Sequence, residues 1–337
     1  MKFGVRLPQD GPFASKKNLE TVAKRAESLG FDSIWVHDNI LWKAEDRYHV
    51  SAGTKESVEQ SSSNPIFYEA LLSLAHVAGV TEHISLGNAA IILPLRNPVI
   101  LGKQLATLHE LSGGRLVTAL CIGAEIPSTR SSFNAVGVSY EDRGKITDEY
   151  LQVLRSILKG EETHVTGKYV NFDGEEFLRD FNPKPIDYQL WYAARPRDFS
   201  RVNGPSSLRR AVQYCDGWLA GMNYTISAFE VALKRLRALA STHNRDLSHF
   251  TIGLETFACL EASDEIAKAV TLETRRARHI EDLSWTFIGS NTEVNTRLEA
   301  YKKIGVEFFE IKLMAHSFDK YLDMMDRFAQ EILPSWT

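Results

Sequence analysis

The sequence predicts an α/β protein of the (β/α)8, or TIM-barrel, class, carried as one domain over residues 1–337 with insertions. Three observations predict it. Strand-like apolar runs alternate with helix-like runs eight times along the chain. One strand, Ser33-Ile34-Trp35-Val36, ends in His37 and Asp38, two ionisable groups on the loop where a barrel gathers its chemistry. The turn after the first strand, Leu7-Pro8-Gln9-Asp10-Gly11-Pro12, lacks the Gly-x-Gly-x-x-Gly pattern of the competing architecture, an open doubly wound sheet.

Residues 2–8 read as the first strand, and 16–29 as a helix with Leu19, Val22, Ala23, Ala26 and Leu29 at helical spacing. Gly30 suits the left-handed position that ends that helix. The second strand is 31–38. A polar, serine-rich loop at about 39–65 is long enough to act as a lid. A helix at 66–79, a strand at 84–92 and a helix at 97–111 follow, the last stopped by Ser112-Gly113-Gly114. The fourth strand is 115–122, then a loop at 123–140 and a helix at 141–158. Glycines and prolines mark 160–188 as an excursion, read as a hairpin. The rhythm resumes with strands at 189–194, 217–221, 250–261 and 308–313. Helices fall at 205–214, 226–241, 264–280, 291–304 and 318–331.

With 44% hydrophobic and 24% charged residues, the composition is that of a soluble globular protein. A net charge of −4 without a basic block speaks against a nucleic-acid partner. No apolar run approaches a membrane span. No signal peptide is read at the start, so a cytoplasmic location is expected. Cys121, Cys215 and Cys259 lie far apart in apolar runs and read as core thiols. His76, His83 and His109 read as surface or capping groups, and no histidine spacing suggests a metal site.

Several fragments in order resemble the bacterial luciferase-like monooxygenase family of flavin- and F420-dependent oxidoreductases. They are Met1-Lys2-Phe3-Gly4-Val5-Arg6-Leu7-Pro8, Ala26-Glu27-Ser28-Leu29-Gly30-Phe31-Asp32-Ser33-Ile34-Trp35, Leu111-Ser112-Gly113-Gly114-Arg115, Ser207-Leu208-Arg209-Arg210-Ala211 with Asp216-Gly217-Trp218, and Tyr301-Lys302-Lys303-Ile304-Gly305-Val306. The resemblance implies an insertion-bearing barrel that binds FMN or coenzyme F420 at the C-terminal ends of its strands.

It also implies roles for individual residues. Asp38 matches the F420 branch, while Asn39 stands where that branch has a catalytic histidine; His37 is one position off and points to the opposite face while the strand lasts. Asn88, Ala89 and Ala90 align with a segment that bulges behind the flavin ring, with a cis bond expected at Asn88-Ala89 or Ala89-Ala90. Glu125 aligns with a proton donor, which gives it a catalytic role beside His37 and Asp38. Ala193 and Ala194 replace a Gly-Gly pair. Arg195, Ser206 and Ser207, with Arg197 and Arg201, sit at a helix start suited to the cofactor's phosphate. Trp42, Tyr48 and His316 are substrate-contact candidates, and Glu255, inside the barrel, needs a partner.

The expected function is an oxidoreductase acting on a small organic substrate. It proceeds by hydride transfer with F420, or by oxygen insertion with FMN supplied by a separate flavin reductase. A cofactor-binding barrel without turnover is the alternative. A homodimer is expected from the resemblance alone.

Overall fold

The computed structural model describes residues 1–41, 66–195, 206–222, 224–277 and 279–336. Strands β1 (Lys2–Arg6), β2 (Ser33–Val36), β3 (Ser85–Ile92) and β4 (Leu116–Cys121) pair in sequence order. The chain then leaves for an antiparallel hairpin of β5 (His164–Thr166) and β6 (Asn171–Asp173). It returns as β7 (Gln189–Ala194), β8 (Gly217–Ala220) and β9 (Thr251–Leu260). A short β10 (Phe287–Gly289) extends the sheet beside the end of β9. Finally β11 (Phe308–Leu313) pairs with both β9 and β1, closing an all-parallel barrel of eight strands.

The outer layer holds α1 (Lys16–Ser28), α2 (Ala70–Ala78), α3 (Pro98–Leu111), α4 (Pro127–Ala135), α5 (Arg143–Lys159), α6 (Gly174–Asp180), α7 (Ser206–Tyr214), α8 (Ile226–Thr242), α9 (Asp264–Val270), α10 (Leu272–Ala277), α11 (Asn291–Ile304) and α12 (Phe318–Glu331). Local chemistry sets their ends. Ser15, Thr225, Ser290 and Ser317 each cap a helix by accepting a backbone N–H from the first turn. Gly30 follows α1 with a φ of +81°, the left-handed conformation expected there.

The expected barrel is present, and the differences are local. The second predicted helix begins at Ala70, capped by Glu69. The predicted loop at 123–140 contains α4; its Ser and Thr content reads as loop, but Ser128, Thr129, Ser132 and Phe133 are all buried. The excursion is a hairpin plus α6. The helical region after β9 breaks into α9 and α10, and β10 follows it.

Among the described residues three apolar clusters hold the fold, one of them a small group of Ile92, Leu95, Phe133 and Tyr140 beside α4; the other two matter more for the site. The larger lies between strands and helices. The smaller lies inside the barrel and comprises Trp35, Ala89, Ala119, Trp191, Leu219 and Phe308. Its three rings pack with centroids 5.2–5.6 Å apart. Glycine makes the room: a Cβ at Gly87 would stand 2.3 Å from the Trp35 ring, and one at Gly4 2.2 Å from its indole nitrogen. These rings fill the lower half of the barrel. The chemistry lies above them, where the strands end.

Candidate active site

Four charged side chains share the upper half of the barrel interior. Glu310 and Lys312 are two apart on β11 and so face the same way. Glu310 is the register partner of Glu255 on β9, which sets two carboxylates side by side. Each has its own cation. Arg6 Nε donates to Glu310 Oε1 at 2.6 Å, with both side chains fully buried. Lys312 Nζ donates to Glu255 Oε2 at 2.8 Å and lies 4.0 Å from Glu310 Oε2. Burial pushes the Glu255 pKa up, but Lys312 and Arg6 outweigh it and hold the carboxyl below its ordinary range. Arg6 Nη1 also reaches the Ala89 carbonyl at 3.4 Å.

At that point β3 changes its register against β4, between Asn88 and Ile91. The Ala89-Ala90 peptide within this bulge is cis, at one of the two positions expected. Ala89 belongs to the interior cluster and Ala90 packs beside it. Asn88 points the other way: its amide donates to Thr118 Oγ1 at 3.3 Å, and Thr118 bonds the Tyr188 hydroxyl. Its Oδ1 is buried with no hydrogen-bond partner among the described residues. Cys121, read as a core thiol, is only partly buried here, its Sγ 3.8 Å from the Ala90 carbonyl. Burial pushes its pKa up to about 12, so it stays a thiol. Cys215 and Cys259 are buried as expected.

The tip of β2 divides into two roles. His37 Nε2 lies 3.3 Å from Asp10 Oδ2, and the ring sits edge-on to Phe67. Gln9 fixes its backbone, accepting from His37 N–H and donating to its carbonyl. Burial, with Arg6 and Lys312 adding to it, drives the His37 pKa below the usual value despite Asp10. Asp38 is a tie rather than a free acid. Its Oδ2 accepts from Ile92 N–H at 2.9 Å and from Arg96 Nη1, and its Oδ1 accepts from Arg96 Nη2 at 2.8 Å. Both oxygens are engaged by the protein. Asn39 follows with a buried Oδ1 that has no hydrogen-bond partner among the described residues.

The remaining candidates are dispersed. Glu125 is exposed on the rim, beside Arg130 and Tyr140 in a shallow hollow of about 410 Å³. His316 is exposed beyond β11, in a separate hollow of about 390 Å³ with Glu261 and Lys320. Ala193 and Ala194 end β7, where the Ala194 carbonyl accepts from Trp218 Nε1 at 3.0 Å. Arg195 is exposed just beyond, and Ser206 and Ser207 open α7. Trp42, Tyr48, Arg197 and Arg201 lie outside the described residues, as does most of the loop read as a lid. His109, read as a surface or capping group, is buried at the end of its helix, with Nε2 2.9 Å from the Ile186 carbonyl oxygen.

A hollow of about 710 Å³ also opens at the opposite end, among Lys2, Trp35, Gln189, Trp191 and Phe308. These residues begin the strands, the end where barrels keep stability rather than chemistry. The polar network marks the upper end instead. Arg6, Glu310 and Lys312 were missed in the sequence, although a charge at alternate positions of an otherwise apolar strand was the available signal. Among the described residues, no group of three or more His, Cys, Asp or Glu is placed to hold a metal, and no helix is long and apolar enough to cross a membrane.

Comparison with known proteins agrees with this fold. A 5,10-methylenetetrahydromethanopterin reductase of Methanolobus tindarius is 26% identical over 80% of this chain and 68% of its own length. Matches to other curated relatives span 58–64% of their lengths. Among solved structures, the monooxygenase RslO1 of Streptomyces bottropensis superposes with a TM-score of 0.76 at 18% identity, covering 100% of both chains. An F420-dependent secondary alcohol dehydrogenase, solved with an F420-acetone adduct, gives 0.75 at 16% identity, covering 100% of this chain and 99% of its own. The description of the luciferase-like monooxygenase family matches residues 1–307, and the chain belongs to that family.

Proposed function

We propose that the protein is an F420-dependent oxidoreductase that moves a hydride between the deazaflavin and a small organic substrate. The observation that supports this reading is the bulge of β3 at the barrel mouth, where the side chains of Ala89 and Ala90 are small enough to let a flat ring approach the strand. The buried Oδ1 of Asn39, which has no partner among the described residues, would supply an acceptor for a ring N–H. The cofactor would supply the hydride chemistry; the protein supplies orientation and exclusion of water. Ala89 and Ala90 would back the ring, and the Arg96–Asp38 tie fixes the strand end that carries Asn39. Arg195 and the start of α7 at Ser206 and Ser207 would take the phosphate. Glu125 on the rim is a weaker candidate for the proton donor than the groups inside the mouth, because water reaches it freely.

FMN is the competing cofactor, with oxygen insertion as its chemistry and a flavin reductase as the source of reduced flavin. Titrating the purified protein with F420 and with FMN, followed by fluorescence, separates the two. F420 is expected to bind at least about tenfold more tightly. The reverse order assigns the protein to the FMN reading, and binding of neither removes both. Sedimentation of the same samples tests the homodimer that the family resemblance implies.

A further inference from the structure

We propose that the hollow at the far end of the barrel is a second ligand site, and that it takes an uncharged, flat heteroaromatic lactam. The proposal does not depend on which cofactor the mouth holds.

The site follows from strand alternation. Residues two apart on a strand share a face. Ser33 stands two positions before Trp35 and Gln189 two before Trp191, and both rings belong to the interior cluster. By the same count Ser85, Val117, Gly217 and Thr251 begin the inward rows of their strands. These positions form the lowest inward layer of the barrel. Bulky branched side chains usually fill such a layer. Here only Val117 is of that kind. The space left over is the cavity of about 710 Å³, closed on its inner side by Trp35, Trp191 and Phe308. That is room enough for a small organic molecule.

The walls carry hydrogen-bonding groups with nothing to bond. The side chains of Ser85, Gln189 and Thr251 line the cavity and have no hydrogen-bond partner among the described residues. Ser33 Oγ accepts from Trp35 Nε1 at 2.7 Å, which leaves its own O–H as a donor. Trp191 is only 6% exposed, and its Nε1 is buried with no partner among the described residues. Such a donor costs stability until an acceptor reaches it.

The charges stand at the rim and nearly cancel. Lys2, Arg115 and Lys302 are set against Asp32, Asp187 and Glu307. Arg115 is spent on the Thr81 hydroxyl and on backbone carbonyls, and Asp32 on the Phe3 N–H. The N-terminal ammonium donates to the Trp336 carbonyl at 2.9 Å. Neither an anion nor a cation finds a built partner on the aromatic side of the cavity.

These features select the ligand. The rings favour a flat aromatic body, which also releases water from apolar surface. The Gln189 carboxamide presents a donor and an acceptor together. A cyclic lactam presents an N–H and a carbonyl side by side, so it satisfies both ends of that carboxamide at once. Ring heteroatoms and the carbonyl's second lone pair serve the hydroxyls of Ser85 and Thr251. An uncharged molecule leaves no ion stranded against the rings.

The test uses quinolin-2-one as the probe, with 2-naphthoate as its charged counterpart of similar size. Amide and indole NMR spectra of the labelled protein follow each titration, and Trp191→Phe assigns the Trp191 indole signal. Quinolin-2-one is expected to bind and to move that signal, and 2-naphthoate to bind at least about tenfold more weakly. Gln189→Leu keeps the bulk but loses the carboxamide, and should weaken quinolin-2-one by about tenfold. Thr251→Val should weaken it by about threefold or more. Thermal unfolding first shows that each variant is folded, and if one is not, the other decides. Three results would each overturn the proposal: no binding of quinolin-2-one to wild type, an unmoved Trp191 indole signal, or equal binding by the folded variants. The last would place the probe elsewhere, the mouth included. Tighter binding of 2-naphthoate would refute the uncharged class.

Discussion

Arg96 grips Asp38 from the end of the neighbouring strand, with Nη2 2.8 Å from Oδ1 and Nη1 on Oδ2. The pair closes the seam between β2 and β3 at the barrel mouth. Glu69 braces it from the start of α2, 3.0 Å from the same guanidinium. Arg96→Ala leaves the Asp38 carboxylate buried with only the Ile92 N–H. It should cost about 3 kcal/mol, the order seen when one partner of a buried pair is removed. Denaturant unfolding measures it, and a loss within experimental error would show that water replaces Arg96 there.

Arg6 and Glu310 make a sharper test because neither side chain is exposed. Arg6→Met and Glu310→Leu each strand a buried charge and should cost about 3–5 kcal/mol. The double substitution should cost much less than their sum, because it removes both charges together. A double-mutant cycle reads the coupling; additive losses would mean that Lys312 and Glu255 share the compensation.

His37 predicts a pH dependence. Its native pKa lies below the ordinary value through burial, reinforced by Arg6 and Lys312 and opposed by Asp10. In the unfolded chain the imidazole takes a proton near its usual value of about 6.5, while the native ring resists until the pH is lower. The associated stability is therefore present above that value and is lost as pH falls through the native pKa. Comparing unfolding free energies at about pH 7.5 and 5.5, His37→Gln should show a smaller fall than wild type. An identical fall would place the pH sensitivity in other groups.

Gly87 lies against the Trp35 ring, 2.3 Å from where a Cβ would stand. Gly87→Ala must displace that ring, and it should destabilise by about 1–3 kcal/mol, the usual cost of overpacking. Tryptophan emission should change with it. Unchanged stability would show that the interior cluster has slack.

The barrel was legible because alternation of apolar strands and helices survives insertion, and because glycines mark the turns. The helix at Pro127–Ala135 was not, since Ser128, Thr129 and Ser132 are buried by packing that a polar composition does not advertise. At the strand ends the sequence offers candidate residues but not their partners. The bulge at Ala89 and Ala90 was expected from the family resemblance, since two alanines alone read equally as a plain buried strand. Asp38 was placed at the mouth, but its partner Arg96 lies 58 positions away, and nothing local pairs them. The Arg6–Glu310 contact spans 304 positions. Strand order must be known before such charges can be matched.

The three rings of Trp35, Trp191 and Phe308 have one further consequence. They stand between the charged layer and the hollow at the far end of the barrel. Any small molecule that reaches the charged layer of Arg6, Glu255, Glu310 and Lys312 must therefore come by the strand-end mouth and not through the far hollow.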